Sequence, residues 1–191
     1  MIEIDARKLE CPKPVLLVKE EADKGTEAIR ACVDNEVAAG NVTRFFESRG
    51  YEASREDRAE GIYITGKKSG GPATALKSEP RTAILFTSDK IGAPSDGLGE
   101  VLMKAYLGTL SKSATPPSVI ALMNEGVKMG LPEASTFDTL RELETMGTKI
   151  LICGTCTKHF GITEAITIGT ISNMFEISEA VFGTDKPIVL G

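Results

Sequence analysis

A change of strand texture divides this sequence in two. Before residue 67, apolar and polar residues alternate in the candidate strands; after residue 81, apolar residues come in near-continuous runs. An alternating strand buries one face, whereas a continuous run suits a strand covered on both faces, as in a parallel sheet. Between the two textures lies KKSGGPATALKSEPR, from Lys67 to Arg81, with a Ser-Gly-Gly-Pro run, Pro80 and no apolar period. That stretch reads as an exposed linker. The expected organisation is a domain over 1–66, a linker over 67–81 and a second domain over 82–191.

In the first half, Ile2 and Ile4 alternate with Glu3 and Asp5 as a short strand. A helix is expected over 12–24, with Val15, Val18 and Ala22 on one face and Gly25 past its end. Ile29, Ala31 and Val33 share one side of the next strand, Arg30 and Cys32 the other. Asp34 or Asn35 can cap a second helix carrying Ala38, Val42, Phe45 and Phe46, closed by Gly50. Strands over 52–56 and 62–65 follow, joined as a hairpin through Ala59-Glu60-Gly61. The order β-α-β-α-β-β predicts two helices on one side of a four-stranded sheet, an α+β unit.

The second half carries the runs Ala83–Phe86, Val119–Met123, Ile150–Ile152 and Ile188–Leu190. Helical spacing separates them. Leu98, Val101, Leu102 and Ala105 share a face near 97–112; Leu140, Leu143 and Met146 mark a helix over 137–146; Met174, Ile177 and Val181 mark one ending near Phe182. Alternating strands and helices predict an α/β domain with a mainly parallel sheet and helices on both faces.

Charge and composition exclude several functions. A net charge of −5 and the absence of Trp argue against nucleic acid and anionic membranes as partners. The first residues lack the pattern of a secretory signal, and no apolar run reaches membrane-spanning length. Four cysteines in 191 residues do not make a disulfide scaffold, so a reducing cytoplasm is the expected location.

The chemistry concentrates on sulfur. In Leu9-Glu10-Cys11-Pro12-Lys13-Pro14, Cys11 falls where a helix cap should be, with Pro12 at the first helical position and Pro14 in the first turn. A thiol at that end of a helix is expected to ionise below the usual value of about 8.5. Cys153-Gly154-Thr155-Cys156 follows an apolar strand, where sites form in open α/β sheets. On this reading Cys153, at the strand end, reacts first, and Cys156 is the resolving partner or a packed thiol. His159, the single histidine, reads as a solvated surface residue, and Cys32 receives no function. The glycine-rich loop from Ser88 to Gly99 matches neither a Walker motif nor a dinucleotide fingerprint. One cysteine knuckle does not supply four zinc ligands, so no metal site and no cofactor are expected. A thioredoxin-like dithiol and a persulfide relay both remain open.

Asp5-Ala6-Arg7 and Leu9 to Leu16 resemble the Cys-Pro-x-Pro signature of the TusA/SirA family of small sulfur carriers. The resemblance continues through Asp34, the helix ending at Gly50 and the strand from Gly61 to Thr65, to about residue 66. That family usually has Gly where Lys8 stands. The second half is similar to the DsrE/DsrF-like sulfur-relay family at Ile152-Cys153, Gly161 and Ile171-Ser172-Asn173-Met174. Both halves on one chain resemble sulfurtransferase-like proteins associated with selenium metabolism. The resemblance implies a βαβαββ two-layer sandwich followed by a DsrE-like three-layer α/β domain. It implies a carrier of sulfur or selenium working through persulfides at Cys11 and Cys153, with Cys156 able to resolve the second. Pro12 and Pro14 would fix the helix start, while Arg7 and Lys13 could stabilise sulfur anions or simply be solvated. A cysteine desulfurase or other sulfur or selenium donor, a downstream acceptor and self-association through the second domain are the implied partners. The alternatives are a dithiol redox protein using Cys153 and Cys156, and a non-catalytic docking adaptor.

Overall fold

The computed structural model describes residues 1–10, 12–69, 81–93 and 96–191. Cys11 and most of the expected linker therefore lie outside the described residues. The first six elements are β1 (Ile2–Asp5), α1 (Lys13–Asp23), β2 (Ala28–Val33), α2 (Glu36–Ser48), β3 (Tyr51–Arg58) and β4 (Gly61–Lys68). They form a sheet ordered β1-β2-β4-β3, with β1 parallel to β2 and the other neighbours antiparallel. This is the expected βαβαββ sandwich. The alternation in β2 sets its layers: Ile29, Ala31 and Val33 enter a core with Val15 and Val18 of α1 and with Ala38, Val42, Phe45 and Phe46 of α2.

Three local features fix these elements. Asn35 caps α2, its side-chain oxygen accepting the Ala38 N–H at 2.9 Å, which satisfies a first-turn donor. Gly66 in β4 lets Phe46 lie flat on the strand, since a Cβ there would come within 2.3 Å of the ring. Both hairpin strands run beyond their expected ends, β4 pairing through Lys68, so that only Ala59 and Glu60 separate β3 from β4.

The remaining strands are β5 (Thr82–Phe86), β6 (Val119–Leu122), β7 (Lys149–Cys153), β8 (Thr170–Ser172) and β9 (Lys186–Leu190). Between them run the helices α3 (Leu98–Leu110), α4 (Phe137–Thr145), α5 (Gly154–His159) and α6 (Met174–Phe182), with a 3-10 helix over Asn124–Gly130. The sheet order is β8-β7-β6-β5-β9 and every pair is parallel. The chain steps one way from β5 to β8 and then crosses back to β9. Right-handed crossovers consequently place α3, α4 and α5 on one face and α6 on the other. Ile120, Ala121 and Leu122 are successive and all fully buried, as two covered faces require. The chain thus makes two compact units, one built on β1–β4 and the other on β5–β9.

Two expectations for this sheet change. The helix face carrying Leu98, Val101, Leu102 and Ala105 is exposed, and α3 instead buries Gly99, Met103 and Leu107. The run Ile188-Val189-Leu190 forms a strand that, among the described residues, pairs only with β5 at the sheet edge, and its Val189 is exposed. In β9 the Lys186 N–H donates inward to the Arg81 carbonyl at 3.2 Å, so Pro187 occupies an outward-facing position.

Candidate functional site

The first sulfur motif lies at the start of α1. Pro12, not Cys11, holds the cap position (φ −97°, ψ 12°), with Lys13 first in the helix and Pro14 second. The Pro12 carbonyl accepts from Val15 and Leu16 at 3.0 and 3.1 Å, which makes it the first acceptor of the helix. Pro14 is buried and loses nothing by lacking an N–H, because first-turn donors have no partner within the helix. Lys13 is exposed. The helix start therefore sits one residue later than its spacing suggests, and Cys11 precedes the cap residue in sequence.

Arg7 is already engaged. Its Nε and Nη2 donate to the two carboxylate oxygens of Asp5 at 2.9 and 2.7 Å, and Nη1 reaches the Glu60 carbonyl at 3.2 Å. The guanidinium holds the exposed Asp5 carboxyl down to about 2, and the carboxylate in turn holds the Arg7 proton more tightly. Most of its charge is matched within this pair, which leaves less for a sulfur anion. Cys32 is buried on the sheet face away from the helices, and a Cβ at Gly61 would come within 2.9 Å of its sulfur.

The second sulfur motif forms at the carboxyl ends of β6 and β7. Cys153 ends β7 and caps α5; Cys156 lies in the first turn of that helix. Cys153 is only 1% exposed, whereas Cys156 is half-buried. Burial pushes the Cys153 thiol up to about 11, against the opposing pull of the Cys156 and Thr155 backbone N–H groups. The two cysteines stand three residues apart at the start of α5. The Cys156 sulfur accepts the backbone N–H of Asn124 at 3.2 Å, from the start of the 3-10 helix that follows β6. Asn124 has a left-handed backbone (φ 47°), an uncommon state for a non-glycine residue. The only sequence signal for it was an Asn directly after an apolar run, a residue that tolerates this conformation.

His159 is exposed on α5 with its ring edge-to-face on Phe160, 5.1 Å between centroids. Among the described residues no group of three or more His, Cys, Asp or Glu could hold a metal ion, and no helix is long and apolar enough to cross a membrane.

Residues 2–68 match the family model for "Sulfurtransferase TusA". A SirA-like protein from Desulfitobacterium hafniense, of known crystal structure, is 30% identical, with the alignment covering 38% of this chain and 100% of that one at a TM-score of 0.34. No curated protein matches the chain. Over the matched stretch the family match supports a general sulfur-carrier role for the first unit. Through residues 2–68 the chain belongs to the TusA/SirA sulfurtransferase family.

Proposed function

We propose that this chain is a two-domain carrier of sulfane sulfur, or of selenium by analogous chemistry, of the YedF type. In this reading a TusA/SirA domain is fused to a DsrE/DsrF-like domain in a reducing cytoplasm. The observation that carries it is the Cys-Pro-Lys-Pro sequence within the stretch that matches the TusA family. Cys11 is the first carrier thiol. Its thiolate attacks the outer sulfur of a persulfide on a donor such as a cysteine desulfurase; the donor's S–S bond breaks and the donor leaves as a thiolate. Pro12 and Pro14 hold the helix start, and Lys13 offers a nearby positive charge. A downstream protein thiol accepts the sulfur by the same exchange.

The second carrier is the Cys153/Cys156 pair. The strand-end argument and the DsrE resemblance give the acceptor role to Cys153. Burial favours the reverse order, with half-buried Cys156 as acceptor and Cys153 as the resolving thiol. Attack by Cys153 on the inner sulfur of a Cys156 persulfide would form a disulfide and expel hydrosulfide. Few Cys153 side chains are thiolate at neutral pH, so that loss is slow and the persulfide survives to be handed on.

A second reading, a dithiol redox protein, is favoured by the placement of Cys153 and Cys156 within one turn of each other at the start of α5. Intact-mass analysis with peptide mapping, after incubation with a cysteine desulfurase and cysteine, separates the readings. Relay adds mass in steps of one sulfur; Cys11→Ser removes loading of the first unit, Cys156→Ser removes that of the second, and Cys153→Ser leaves the second loaded for longer. Loss of two hydrogens without sulfur supports the redox reading, and an unchanged mass supports an adaptor.

A further inference from the structure

The 3-10 helix after β6 begins at Asn124, one of two non-glycine residues with positive φ among the described residues; the other is Lys8. Left-handed backbone at a side-chain-bearing residue persists where its surroundings impose it, and such positions cluster at functional sites. Here the surroundings are visible. The Met123 N–H donates to the Phe86 carbonyl at 2.9 Å, and the Gly126 N–H returns to the Met123 carbonyl at 2.9 Å. Gly126 itself lies so close to β5 that a Cβ would come within 2.7 Å of the Phe86 carbonyl oxygen. With both sides of Asn124 tied down, its peptide N–H has a fixed direction. That direction ends on the Cys156 sulfur, 3.2 Å away.

We propose that Asn124 is a positioning residue for sulfur chemistry at Cys156, its left-handed backbone aiming a peptide N–H at the sulfur that becomes anionic. This rests on the reading of Cys156 as the acceptor thiol. An anionic sulfur needs a donor that does not have to be reoriented as charge develops, and a backbone N–H held from both sides meets that need. The neighbouring carboxyl ends of β6 and β7 bring donor and sulfur together, although 32 positions separate them in sequence. The Asn124 side chain makes no part of this contact. Its value at this position is that Asn enters the left-handed region at lower cost than most residues.

The test uses the full chain with Asn124→Gly and Asn124→Val, read by peptide-mapped alkylation of Cys156 with iodoacetamide at one neutral pH and by sulfur loading from a cysteine desulfurase. Glycine keeps both the N–H and the backbone conformation, so its alkylation rate should stay within about twofold of the parent. Valine resists positive φ, and Cys156 should alkylate about tenfold more slowly, as expected from the left-handed penalty of a branched residue. Three results overturn the proposal: valine matching the parent, glycine falling as far as valine, or Cys153 becoming reactive in the valine variant, which would make this helix start a packing element only. If the alkylation order holds but the parent takes up no sulfur at Cys156, the positioning stands and the relay reading of this unit fails.

Discussion

The backbone N–H of Lys8 donates to Oδ2 of Asp34 at 2.7 Å, tying the segment before the Cys-Pro-Lys-Pro motif to the entry of α2. That bond, ahead of the one from Asn35, holds the Asp34 carboxyl below its ordinary value. Lys8 makes this bond while standing at φ 61°, in the left-handed region. The resemblance to carriers with Gly at this position thereby acquires a physical reason: glycine occupies that region without a Cβ penalty.

Lys8→Gly should therefore stabilise the first unit by up to about 1 kcal/mol, the left-handed penalty less the entropy of a freer unfolded chain. Chemical denaturation of the parent and variant measures it. A loss of more than about 0.5 kcal/mol would mean that the lysine side chain contributes something the hydrogen bond does not.

Gly66→Ala should cost about 1–3 kcal/mol, since the new methyl would overlap the fully buried Phe46 ring. Thermal unfolding should show this as a lower midpoint of the first unit. An unchanged midpoint would mean that Phe46 has room to move off the strand.

On α3, Val101 is 63% exposed and Met103 is fully buried. Val101→Ala should change stability by less than about 0.5 kcal/mol. Met103→Ala should cost about 2–5 kcal/mol through the cavity it leaves. Equal costs at the two sites would put the buried face of α3 elsewhere.

The Cys153 thiol gives the second unit a pH dependence of definite sign. Burial raises it from its ordinary value to about 11, so between the two the unfolded chain releases a proton that the folded chain keeps. Stability falls as pH rises wherever the unfolded state binds fewer protons. Unfolding free energies of the parent and Cys153→Ala, compared from about pH 8 upward, should converge through this window as the parent loses its advantage. A constant difference would show that the thiol ionises alike in both states.

The first unit was largely legible because each strand has one apolar face: Ile29, Ala31 and Val33 name the buried side of β2 with no rival. α3 was not, since it carries two apolar stripes, and periodicity alone cannot choose between Val101 and Met103. β8 escaped notice because Thr170–Ser172 is too short to show a period. The sulfur motifs were visible as strings, but two prolines in three residues fit a cap at either Cys11 or Pro12, and only the acceptor role of the Pro12 carbonyl decides. The Asn124–Cys156 contact leaves no trace in local sequence, because it depends on which strands become neighbours.

Pro187, facing outward from β9, has a consequence for how this molecule can go wrong. An exposed edge strand is a template on which another chain can align and begin a fibril. A strand added outside β9 would find no donor at Pro187 and would meet Lys186 beside it. Growth from that edge would lose one rung of its ladder at the first step, and this side of the sheet is a poor seed for self-pairing.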